Sequence, residues 1–146
     1  MVHRNMQQPE SEKGQSFVEL AISLVFILVL LGGVVDLGRV LFTFIALRDA
    51  AQEGAAYASF CPFDTSGIDV RVRTASTRPV DLLNTTDITV ASACEVVAEC
   101  NAGEGVTVTV ASPNFRMSMP FMGGANIPLS SSVTDSVLTN ALTCPP

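Results

Sequence analysis

Tryptophan is absent from this chain of 146 residues, Tyr57 is its only tyrosine and His3 its only histidine. With no histidine after position 3, Ser–His and Cys–His pairs have no base anywhere in the later chain. The cysteines form no CxxC pair and have no histidine nearby, so a zinc or other metal site has no support. Basic residues are few as well: 8 Lys and Arg stand against 14 Asp and Glu, a formal charge of −6. A nucleic-acid partner would want a basic face, so none is expected. No glycine-rich loop leads into a helix, which leaves a phosphate-bearing cofactor unsupported. Ser130, Ser131 and Ser132 have no base near them and read as a polar strand. Glu95, Glu99 and Glu104 read as solvated residues on a hairpin. The chain is therefore not expected to be an enzyme, and neither a cofactor nor a small-molecule substrate is expected.

Charge of either sign is almost missing from one stretch. Phe17 to Val35 carries Glu19 as its only charge and Ser23 as its only hydroxyl. As a helix it is about 28 Å long at roughly 1.5 Å per residue, which matches a bilayer core of about 30 Å. Apolar residues occur all round, so no face is reserved for water. The expectation is a transmembrane segment over 17–35, with a buried core helix as the alternative. Residues 1–14 form a polar leader, and the charged part is too long for a secretory signal peptide.

After Asp36 the pattern narrows. Val40, Phe44, Leu47, Ala51, Gly54 and Ala58 recur at alternating three- and four-residue steps, so one long helix is expected over 15–60. The small residues of its second half allow close approach of another element: the sheet of its own domain, or copies of similar helices. Asp36 and Arg39 lie on one helical face and can pair where lipid ends. Pro62 ends the helix at Cys61.

Residues 61–146 read as an extracytoplasmic α+β domain. Ser66-x-x-Asp69 has the form of a capping box, and Ile68, Val72 and Ala75 follow at helical spacing, so a short helix is expected over 67–77, with Arg71 and Arg78 facing water. Strands are expected over Ile88–Ala93, Gly105–Ala111 and Ile127–Thr134, the second by its strict alternation of Val106, Val108 and Val110 with Thr107 and Thr109. Met117, Met119, Phe121 and Met122 form an apolar connection that packs under the sheet or meets a partner. The four cysteines all follow the apolar segment, as disulfides in an oxidising compartment would, free thiols being the alternative. The expected pairs are Cys94–Cys100, closing a hairpin, and Cys61–Cys144, tying the C-terminus to the end of the long helix. The fold class is thus α+β: a long N-terminal helix, transmembrane in its first half, then a small disulfide-stapled antiparallel sheet with a short helix.

Three motifs in order carry a family resemblance. Lys13-Gly14-Gln15-Ser16-Phe17-Val18-Glu19 resembles the processing site of type IV pilin-like proteins, where a prepilin peptidase cuts after the glycine. Asp36-Leu37-Gly38-Arg39 follows the apolar run, and Gln52-Glu53-Gly54-Ala55-Ala56-Tyr57-Ala58 is similar to the R-E-G-A-R-Y-A stretch of TadE-like proteins, with Gln52 and Ala56 at the two arginine positions. Together they resemble the TadE-like minor pilins of tight-adherence (Tad/Flp) pili. The resemblance implies cleavage between Gly14 and Gln15. It implies an inner-membrane protein with a cytoplasmic N-terminus, whose partners are a prepilin peptidase, other pilins and Tad assembly components.

The chemistry fits that implication. Cleavage leaves a charged amine on Gln15, close to Phe17 and one helical turn from Glu19. A carboxylate in an apolar segment is costly and finds a partner. That partner is this amine, on the same or a neighbouring subunit, or else Glu19 snorkels to the cytoplasmic interface. The alternative function is a membrane-anchored extracytoplasmic binding module that is not built into a pilus.

Overall fold

No proline interrupts the chain between Pro9 and Pro62, so no residue there lacks the amide that a helix ladder needs. In the computed structural model, which describes residues 11–76, 80–82, 87–95, 100–117 and 125–138, Ser11–Ala58 is one uninterrupted helix, α1, of 48 residues. At about 1.5 Å per residue it is roughly 72 Å long. Its two halves differ. From Gly14 to Leu31 almost every side chain is exposed on every side of the helix, and α1 is long and apolar enough to cross a membrane. From Asp36 on, one side is covered by the rest of the chain.

Past Ala58 the helix unwinds through Ser59 N–H to Ala55 O at 2.9 Å and Cys61 N–H to Tyr57 O at 3.0 Å. The short helix α2, Thr65–Thr74, follows. Its cap is Asp64, whose carboxylate accepts from the Gly67 amide at 2.9 Å. This corrects the expected start. Ser66 lies inside the first turn and donates to Asp64 at 2.7 Å, while Asp69 pairs forward with Arg73 at 2.8 Å instead of reaching back. Ile68 and Val72 are buried as the spacing predicts.

Three strands form one antiparallel sheet in the order β1-β2-β3: β1 Thr89–Cys94, β2 Gly105–Arg116 and β3 Asn126–Ser136. Gly103, at φ 94°, turns the β1–β2 hairpin in the left-handed region that glycine enters freely. Cys94 and Cys100 are disulfide-bonded within that hairpin. Strand β2 runs to Arg116 rather than stopping at Ala111. Its pairing with β3 is irregular between Ser112 and Phe115, so Pro113 sits where the ladder asks for no amide. On the edge strand β3, Pro128 is tolerated for the same reason. Beyond β3, Val137 N–H bonds Glu104 O and Leu138 N–H bonds Ser59 O, both at 2.8 Å. The sheet's far end is thus tied to the end of α1.

The core lies where these elements meet. Val106, Val108 and Val110 are fully buried and share one cluster with Leu47, Ala50, Ala51, Ala55 and Ala58 of α1 and with Ile68 and Val72 of α2. Fully burying a valine side chain is worth about 1.5–3 kcal/mol. Thr107 and Thr134 bond through their hydroxyls at 2.7 Å, as expected of the alternate positions. The stripe of α1 that packs differs from the expected one at Phe44, which stays 42 % exposed, while Thr43 is buried. Thr43 is accepted because its hydroxyl donates to Arg39 O at 2.9 Å, which removes the cost of burying it. Arg78, Glu99, Met119, Phe121, Met122 and Cys144 lie outside the described residues, and with Cys144 the expected Cys61–Cys144 pair.

Candidate functional site

The residues singled out along α1 fall into three groups at different heights. Gly14, Gln15, Phe17 and Glu19 stand on its exposed first turns, with nothing within 4 Å of where a Gly14 side chain would begin. Helical spacing places Gln15 and Glu19 one turn apart on one side. No ion pair involving Glu19 occurs among the described residues.

Asp36 and Arg39 stand where the domain first covers one side of the helix. Their carboxylate and guanidinium are 3.3 Å apart, and Asp36 is only 1 % exposed. The Arg39 guanidinium also lies 5.4 Å over the ring of Phe115, a cation–π contact that fastens the end of β2 to the helix. This pair is covered by its own domain on one side. A cleft of ≈ 400 Å³ opens beside it, lined among others by Arg39, Phe42, Leu47, Leu82 and Phe115.

The third group is the junction of α1 with α2. Gly54 is the point of closest approach: a Cβ there would meet Val72 Cγ2 at 2.6 Å and Val108 Cγ1 at 3.0 Å. Only glycine lets α1 lie this near both α2 and β2. Tyr57, one turn on, donates its hydroxyl to Asp64 Oδ2 at 2.8 Å, and Arg71 lies 5.5 Å over its ring. The same Asp64 caps α2, so one carboxylate joins the two helices. Its pKa is held below the usual value by the Gly67 amide first, then by the hydroxyls of Ser66 and Tyr57. The Tyr57 pKa is raised, chiefly because its proton is held by Asp64. A side chain on Gly67 would run into both Asp64 and the Tyr57 ring, which accounts for a glycine in the first turn of a helix.

The structure thus brings Asp36 and Arg39 together, and assembles Gly54 and Tyr57 with residues the sequence reading passed over, namely Asp64, Gly67 and Arg71 as a stacking partner. Their one visible signal was Phe63-Asp64-Thr65, an aspartate directly ahead of a helical pattern. Among the described residues no group of three His, Cys, Asp or Glu is placed to hold a metal.

No curated protein and no solved structure matches the chain. A family model described as TadE-like protein matches residues 14–56, within the stretch where the motifs carry their resemblance. The matched span takes in Glu19, Asp36, Arg39 and Gly54.

Proposed function

We propose that this protein is a TadE-like minor pilin, or pseudopilin, that takes part in assembling or priming a Tad-type pilus. The observation that carries the reading is the family match over residues 14–56, a span that takes in the candidate cleavage site, the apolar run and the close-packing Gly54. Before assembly the apolar half of α1 holds the protein in the inner membrane, with residues 61–146 on the extracytoplasmic side. A prepilin peptidase cuts after Gly14, and the new amine of Gln15 meets Glu19 of its own or a neighbouring subunit. That pairing fixes the axial stagger of subunits, because a buried carboxylate gains most where a cation is within reach. Asp36 and Arg39 mark the end of the lipid-embedded part on the domain side. The disulfide Cys94–Cys100, with Cys61–Cys144 as its companion, suits an oxidising compartment.

The folded domain beyond α1 favours a minor role over that of a bulk fibre subunit, which needs little more than the helix. Replacing Gly14 by phenylalanine in cells that contain a prepilin peptidase is expected to leave a longer, uncut chain. Normal maturation of Gly14→Phe overturns the processing claim. Co-purification with pilus components separates this reading from a simple tethered binding module, which would bring none down.

A further inference from the structure

The two sides of α1 change from apolar to polar at different heights. On the side that faces the domain, the first charges are Asp36, which is buried, and Arg39, which stays half exposed and lies over Phe115 of the domain. On the opposite side the lipid-like stripe of Ile27, Leu31 and Val34 continues without a break through Leu37, Leu41 and Ile45, which are 62, 53 and 52 % exposed. Polar residues begin on that side only at Arg48, Asp49 and Gln52, all exposed. Among the described residues nothing covers Leu37, Leu41 and Ile45, and no polar side chain on that side separates them from the membrane segment.

We propose that this outward face is lipid-covered as far as Ile45, so that α1 leaves the bilayer obliquely with the domain on its upper side. Two lengths agree on the geometry. From Phe17 to Ile45 the helix rises about 42 Å, and a tilt of roughly 45° brings that to a core of about 30 Å, just past the usual upper limit for spans. At that tilt, the underside of a helix about 10 Å wide leaves the core about 10 Å further along the axis than its upper side. The observed offset between Arg39 and Arg48 is about 13 Å along the helix. An upright helix would instead hold the exposed Leu41 and Ile45 in water. The domain then rests against the headgroups with the Asp36–Arg39–Phe115 corner nearest the surface. This inference depends on the membrane-spanning reading of α1.

The absence of tryptophan makes a direct test simple. Val25→Trp, Leu41→Trp, Ile45→Trp and Gln52→Trp are each made in the full chain and reconstituted in phosphatidylethanolamine–phosphatidylglycerol vesicles. Fluorescence is quenched from the acyl chains by brominated lipid and from water by acrylamide. The expected result is bromolipid quenching of Leu41→Trp and Ile45→Trp within about twofold of Val25→Trp, as for groups in the acyl and upper headgroup region. Gln52→Trp should answer only to acrylamide. Acrylamide access at Leu41→Trp and Ile45→Trp, with Val25→Trp still quenched by bromolipid, overturns the oblique exit alone. Acrylamide access at Val25→Trp as well overturns the membrane-spanning reading beneath it. Protection of Leu41→Trp and Ile45→Trp from both quenchers, falling as protein is diluted in lipid, assigns the face to a second copy and also overturns the proposal.

Discussion

Gly54→Ala puts the packing of α1 to a quantitative test. In an open helix the change stabilises, by about 1 kcal/mol from propensity alone. At position 54 the new Cβ would stand 2.6 Å from Val72 Cγ2 and 3.0 Å from Val108 Cγ1. Both methyls belong to fully buried valines, and β-branched side chains are stiff about χ1, so neither can swing aside. Overpacking of this kind costs about 1–3 kcal/mol. The net expectation is a loss of up to about 2 kcal/mol, on the order of 10 °C in Tm for a domain of this size.

Gly38→Ala is the internal control, since nothing lies within 4 Å of its Cβ position, and it should gain the propensity term undiminished. The difference between the two substitutions then isolates the overpacking cost. Adding Val72→Ala, which alone should cost about 2 kcal/mol, should remove most of the Gly54→Ala penalty and give a coupling of about 1–2 kcal/mol. Thermal unfolding of the full chain in detergent, followed through Tyr57, reads all four proteins. Gly54→Ala as stabilising as Gly38→Ala, or a coupling near zero, would refute the close approach of α1 to α2 and β2.

The Asp64 cap predicts a pH dependence. Its folded pKa is depressed, so its contribution is complete above the unfolded value near 3.8 and is lost as pH falls through the lower, folded value. Asp64→Asn should therefore narrow the stability difference between neutral and strongly acidic solution; an unchanged difference would remove Asp64 from that role. Tyr57, with its pKa raised from 10.0, acts at the other end. Its contribution holds below that value and fades as pH rises through the folded pKa, and Tyr57→Phe should abolish this alkaline loss. Non-reducing peptide mapping should recover Cys94 with Cys100 and Cys61 with Cys144, and any other pairing rejects the proposed connectivity. Glu19→Ala should abolish recruitment into fibres recovered by shearing, while its fibre content at the wild-type level would discard the stagger argument.

How far the residues reveal the structure varies along the chain. The long helix was legible because an apolar run is followed by residues at alternating three- and four-residue steps up to Pro62, and β2 because valine alternates with threonine at a period of two. The Asp64 cap was not, because Ser66-x-x-Asp69 fits the same pattern two residues later. What decides between them is the Tyr57 hydroxyl, which reaches Asp64 from the helix before and leaves no local spacing to read. Strand β2 was cut short at Ala111 because Ser112-Pro113-Asn114 are turn formers, yet the break in its ladder absorbs them and pairing resumes at Phe115 with Ile127. Phe44 was expected inside because apolar side chains were counted. A hydroxyl that bonds its own helix backbone, as Thr43 does, can take an inward place just as well. At the candidate site the motifs gave Gly54 and Tyr57, but what they touch became visible only with the fold.

The most direct measurement is the mass of the N-terminal peptide of the protein taken from its native envelope. A chain that starts at Gln15 is the outcome the account predicts, since only that cut creates the amine that Glu19 is placed to meet. A chain that still carries residues 1–14 contradicts it.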